Sequence, residues 1–237
     1  MKNRFLQVLA WLILFIVLFV VIGVAISFII EYAVIGEDYL FYELSPFWSQ
    51  SLAVIIAVPS LFISYLAAYK LREKLTSEKD DFWHLAGILS SVGKWNIAFL
   101  AVYACIVYVC ITSVTYVTED KITVKTPFDL AGREYAYSEV ERIEAGFGDK
   151  RRAFYEYEEK GNFYYKIILG GKETVFHMPT PNYDIERYDD TYLELEEFDA
   201  ALSSLGIPKY ASADGYENCK FDERYVERFL RIIGEEK

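Results

Sequence analysis

Three apolar runs, residues 5–30, 48–69 and 95–117, constrain this chain more than any other feature. Each is longer than the ~18 residues at which an apolar stretch reads as a membrane-spanning helix. Inside hydrocarbon the backbone must satisfy its own hydrogen bonds, so each run is predicted to be helical. The fold class that follows is a three-helix transmembrane anchor over residues 1–117 and a separate soluble α+β domain over 118–237.

Charge separates the same two regions. Residues 1–117 carry 7 Lys+Arg against 8 Asp+Glu, and residues 118–237 carry 17 against 27. A strongly acidic second half excludes nucleic acid as a partner, because phosphates need basic surface. It also argues against a polybasic grip on anionic lipid. The first run follows Lys2 and Arg4 but is far longer than the apolar core of a cleavable signal, and Glu31 and Tyr32 stand where small residues would mark cleavage. It reads as a retained anchor.

Basic residues near span ends set orientation. Lys2 and Arg4 precede the first run, and Lys70, Arg72, Lys74, Lys79 and Lys94 lie between the second and third, whereas residues 31–47 hold only acidic charges. The N-terminus and the 70–94 loop are therefore expected in the cytoplasm and the C-terminal domain outside it. Trp48, Tyr69, Trp95 and Tyr116 are placed to act as aromatic interface anchors. The short apolar segment 82–89 is expected to lie along the interface.

None of the three runs contains an Asp, Glu, Lys, Arg or His in its middle, which lowers transport and proton-relay readings. Small residues do recur at helical spacing: Gly23 and Ser27, then Ser60, Ser64 and Ala68, then Ala101 and Cys105. Such rows let helices approach closely, and the reading is packing within a three-helix bundle or between copies of the chain. Pro59 is expected to kink the second helix.

From Val114 the period changes to two. Strands are predicted at 122–125, 134–137, 140–147, 154–158, 163–169 and 173–178, with turns at Lys160-Gly161-Asn162 and Gly170-Gly171. Residues 179–182, with two prolines, are expected to end the sheet. Thr191-x-x-Glu194 resembles a capping box, followed by a stripe of Leu195, Phe198, Leu202 and Leu205 and a stop at Gly206 and Pro208. A last helix is predicted from Asp222, with Val226, Phe229, Leu230 and Ile233 on one face and Gly234 at its end.

The strand leaving the third run, its turn at Thr118-Glu119-Asp120-Lys121, residues 122–128 and the Tyr137-Ser138-Glu139-Val140 stretch resemble the opening of bacterial pleckstrin-homology-like domains found beside membrane spans. The resemblance covers about residues 113–205. It implies a seven-stranded barrel-like sandwich closed by a helix, and for many members a cytoplasmic location, against the charge bias above. Members that bind inositol phosphates use basic residues around the first hairpin; Glu119 and Asp120 stand there instead.

No catalytic motif, metal-ligand spacing or phosphate-cradling glycine loop occurs, and no cofactor is implied. His84 and His177 are expected on opposite membrane faces. Glu158-Glu159, Asp189-Asp190 and Glu196-Glu197 read as solvated surface, as does the basic cluster Lys150-Arg151-Arg152. The aromatic strands offer a candidate partner surface through Tyr155 and Tyr157, or Phe163 and Tyr165, if either pair is exposed. The functional expectation is a non-enzymatic membrane protein whose domain scaffolds a protein interaction. Its partners are the lipid bilayer and a protein or a second copy of the chain. A small oligomeric channel or transport accessory, or an immunity-type protein, are the alternatives.

Overall fold

The computed structural model describes residues 2–36, 38–75, 93–148, 160–177, 180–181 and 192–234. They form two units, residues 1–36 with 50–112 and residues 37–49 with 113–237.

The first unit is helical. Helix α1 spans Lys2–Phe28 and continues through the wider π-type turns Ile29–Ile35. Gly36, at φ +72°, stops it by donating its N–H back to the Glu31 carbonyl at 2.9 Å. Helix α2 spans Pro46–Leu75 and contains Pro59; α3 spans Gly93–Thr112. The stretches Val8–Ile35 and Ser51–Ala68 are long and apolar enough to cross a membrane, and the apolar stretch Leu100–Thr112 of α3 is shorter. The predicted third run ends five residues too late. The chain leaves the helix after Thr112, because Val114, Thr115 and Val117 are β-branched and have a strand to pair with. Tyr116 is accordingly a buried strand residue and not an interface anchor.

Within this unit, polar groups turn inward. Pro59 has no N–H, so the carbonyl of Ile55 one turn earlier loses its helical donor. The hydroxyl of Tyr103 on α3 donates to that carbonyl at 3.0 Å. Gly23 of α1 brings the methyl of Ile56 within 3.7 Å of where its Cβ would stand. Trp11 and Tyr65 meet edge to face at 6.4 Å.

The second unit is built on two sheets. Strands β1 (Phe41–Leu44), β2 (Val114–Val117), β3 (Lys121–Thr126), β4 (Asp129–Ala136) and β8 (Thr180–Pro181) form one, in the order β4-β3-β2-β1-β8. Its described pairings are all antiparallel. Strands β5 (Val140–Phe147), β6 (Phe163–Leu169), β7 (Lys172–Phe176) and β9 (Lys209–Ser212) form the other, in the order β7-β6-β5-β9, with β9 parallel to β5. Gly170 and Gly171 make the two-residue turn from β6 to β7, both with positive φ of 56° and 73°, as a right-twisted hairpin demands.

Helices α4 (Leu193–Ser204) and α5 (Glu223–Ile233) complete the core. Leu195, Phe198 and Leu202 are buried with Ile143, Tyr165, Ile167 and Phe176, and Phe229 stacks on Phe163 at 4.1 Å between ring centroids. Asp222 caps α5 by accepting from the Arg224 N–H, and Gly234 closes it.

Several expectations are corrected here. Residues 180–181 do not end the sheet but add a strand to it, against β1. Tyr137 has left the strand for a short 3-10 turn. Tyr192 is the N-cap of α4 and no side chain caps it; Thr191 lies outside the described residues. Leu205 is exposed at the end of its stripe, and Ile232, not only Ile233, faces the core of α5. The predicted strand 154–158 and the segment 82–89 with His84 lie outside the described residues.

Candidate functional site

Strand β1 comes from the loop after the first helix, yet it is a central strand of the second unit. All four of its residues are buried. The Phe41 ring meets those of Phe176 and Phe198 edge to face, at 5.3 and 5.6 Å. Next to it, Glu43 would be a costly buried acid without partners. Its Oε2 accepts the backbone N–H of His177 at 2.8 Å. The His177 ring places Nδ1 3.3 Å from the Phe163 carbonyl, and Tyr192 donates its hydroxyl to the His177 carbonyl at 3.4 Å. Burial, reinforced by the charge of Glu43 and by Cys219 and Tyr225, holds the Tyr192 hydroxyl well above its ordinary range. Burial likewise raises the thiol of the half-buried Cys219, so little thiolate forms near neutral pH. The cluster joins β1, the end of β7 and the start of α4. Through the bond from the His177 N–H, Glu43 staples β1 to the end of β7.

A second buried polar group stands further along α4. Asp199 accepts from Tyr165 at 2.9 Å and from Lys209 at 2.6 Å. Burial first, then the adjacent Asp199 charge, pushes Tyr165 well above the ordinary phenol range. This triad fastens α4 to β6 and β9.

A half-open groove of about 270 Å³ lies along the end of the unit where β1 leads to α2 and β2 follows α3. Glu43, Ser45, Ser113, Lys125 and Glu173 are among its walls. Among the described residues, no group of three or more His, Cys, Asp or Glu could hold a metal ion.

The residues singled out from sequence are distributed as follows. Ser60 and Ser64 are fully buried in the helical unit, and their hydroxyls donate to the carbonyls of Ile56 and Leu61 in their own helix. Gly23 and Ala68 are half-buried, whereas Ser27, Ala101 and Cys105 are exposed, so those three do not pack within the described bundle. Phe163 and Tyr165, offered as a partner surface, are 2% and 0% exposed. Phe163, Tyr165 and Ile167 alternate onto the core face of β6 while Tyr164 and Lys166 on the other face are half-buried, so this pair is core. Tyr155, Tyr157, Lys150, Arg151, Arg152, Glu158, Glu159, Asp189 and Asp190 lie outside the described residues. Glu196 is gripped by Arg228 at 3.0 Å and Arg231 at 2.7 Å.

Glu43, Phe41 and Lys209 escaped the sequence reading. The one signal for β1 was the apolar run Tyr39-Leu40-Phe41-Tyr42 inside an otherwise acidic loop. Comparison with protein-family models, curated proteins and solved structures returned no match.

Proposed function

We propose that this chain is a multi-pass membrane protein with three spans. It holds a pleckstrin-homology-like α+β domain at the bilayer surface and scaffolds a protein interaction there without chemistry of its own. The observation that carries this reading is the register of β1 on β2, with Leu44 opposite Val114 and Phe41 opposite Val117. Everything between those strands, α2 and α3 included, leaves the sheet and returns to it. Strands of one sheet share one side of a membrane, so the number of crossings between residues 45 and 113 is even. Since α2 is long and apolar enough to cross, α3 crosses back; its 20 residues span about 30 Å, the thickness of the hydrocarbon core.

The low burial of the first candidate span, 11%, favours lipid over a protein core around α1. With the basic residues on one side, the domain lies outside the cytoplasm. Two antiparallel three-stranded meanders, β2-β3-β4 and β5-β6-β7, followed by a core helix, support the pleckstrin-homology-like reading; β1, β8 and β9 are additions to it.

The surface open to a protein partner is β4, an edge of the five-stranded sheet whose residues are mostly exposed. A partner segment pairs with such an edge by strand addition. The test has two parts. Ser203, exposed on α4, is changed to Cys in a chain lacking its own cysteines and treated with membrane-impermeant maleimide on intact cells. Labelling is expected, and labelling only after lysis would place the domain in the cytoplasm. A photo-crosslinking residue at Glu134 is then compared with one at Glu119. Adducts confined to position 134 support the β4 edge, and equal patterns at both positions reject it.

A further inference from the structure

Phe128 is the most exposed large hydrophobic side chain among the described residues, at 101%. It sits with Pro127 in the two-residue tip of the β3–β4 hairpin, and Leu130 beside it is 51% exposed. An isolated exposed apolar residue is common and needs no explanation. The position of this one within the sheet is what gives it meaning.

Strand β2 begins at Val114, two residues after the end of α3 at Thr112. Strand β3 runs antiparallel to it, with Thr115 opposite Val124 and Val117 opposite Ile122. Continuing that register brings Thr126 level with Ser113. On the other side of β2, Leu44 lies opposite Val114, and the Ser45 N–H donates to the Ser113 carbonyl at 2.8 Å. Pro46 then opens α2. Ser45, Ser113 and Thr126 thus stand on one line across the sheet, at the end where the chain passes into α2 and returns from α3. Residues 127–128 project beyond that line. The opposite end of the same strands is the β2–β3 turn, where Glu119 and Asp120 are exposed and Tyr137 bonds to the Thr118 carbonyl.

From this register we infer that the β3–β4 tip is a membrane-interface wedge. Phe128, stiffened by Pro127 and flanked by Leu130, enters the headgroup–acyl boundary of the bilayer that holds α2 and α3. The sheet is polarised to match, with an aromatic ring at the end joined to the helices and two carboxylates at the far end. An apolar side chain gains free energy in that boundary layer and carboxylates lose it. The inference rests on α2 and α3 being spans.

The test uses the full chain with Cys105, Cys110 and Cys219 changed to Ala, reconstituted in phosphatidylcholine–phosphatidylglycerol vesicles. An environment-sensitive fluorophore is placed on single cysteines at Phe128→Cys, at Glu119→Cys as the far-end control, and at Val20→Cys in α1. Lipids with shallow or deep nitroxide quenchers are then added. The expected result is at least twofold stronger shallow quenching at 128 than at 119, with deep quenching at 20. A reporter at exposed Thr126, with Phe128 intact, is expected to lose its quenching on Phe128→Ser, which separates the native ring from the dye.

Quenching at 20 but not at 128 overturns the wedge and leaves the membrane reading standing. No quenching at 20 overturns both. Blue-shifted emission at 128 without lipid quenching assigns the tip to a second protein, and also overturns the wedge.

Discussion

In α1, the large apolar side chains of Val8, Ile13, Val20 and Phe28 are exposed; in the α+β unit, Phe41, Ile122, Tyr165 and Phe229 are buried and Glu119 and Asp120 are exposed. Polar groups show the same inversion. Ser60, Ser64 and Tyr103 turn their hydroxyls onto carbonyls within the helical unit. The α+β unit leaves most of its charge in water and buries only Glu43, Glu194 and Asp199 among its described carboxylates. On the three-span reading proposed above, one chain follows two solvents' rules: the hydrophobic effect assembles the second unit, whereas packing and a few internal hydrogen bonds hold the first.

The sharpest way to break that contrast is Phe41→Ala. If β1 belongs to the aqueous core, deleting a fully buried ring in contact with Phe176 and Phe198 costs about 3–5 kcal/mol. Denaturation of the detergent-solubilised chain, followed by near-UV circular dichroism, measures it. A loss below about 1 kcal/mol would mean that β1 only leans on the sheet.

Asp199→Ala removes the acceptor shared by Tyr165 and Lys209 and strands both in a largely buried site, at about 3 kcal/mol. Asp199→Asn, which keeps an acceptor oxygen, is expected to lose clearly less in the same assay.

Alkaline titration separates the units without mutation. Burial raises Tyr165, Tyr137 and Tyr192 above the ordinary value of 10.0, with Asp199, then Asp120 and Glu119, and then Glu43, respectively, adding to it. The folded state thus favours the neutral phenols. Their contribution is complete below pH 10 and is lost as pH rises through the higher folded values. The α+β unit is expected to unfold above pH 10, with late and cooperative tyrosinate absorbance, while the helical signal persists. Tyrosinate appearing gradually near pH 10 without unfolding would contradict it.

The smallest effect is expected from Tyr103→Phe, which strips the donor from the Ile55 carbonyl freed by Pro59. Interhelical hydrogen bonds in membranes contribute roughly 0.6 kcal/mol. Restoring a backbone N–H with Pro59→Ala should make Tyr103→Phe nearly silent, and a double-mutant cycle in lipid bicelles reads the coupling.

Much of the fold was legible locally. Strands β5 and β6 were read at their observed bounds, because period-two patterning and aromatic content act over a few residues. Gly170-Gly171 announced its turn for the same reason. The site was far less legible. Phe163 and Tyr165 looked like a surface because an aromatic strand carries no mark of whether one or both of its faces are covered. Glu43 looked like a loop acid because its partner, the His177 N–H, lies 134 residues away.

The sequence by itself determined which stretches need an apolar environment and which need water, since hydropathy and charge are properties of each segment alone. It also determined where helices α4 and α5 stop, through Gly206 and Gly234. Only the tertiary structure decided that Phe41–Leu44 pairs with Val114–Val117, that Thr180–Pro181 joins the same sheet, and that β9 adds in parallel to β5. Strand pairing is a contact between distant segments. Its energy appears only once both are in place, so neither segment's pattern can name its partner.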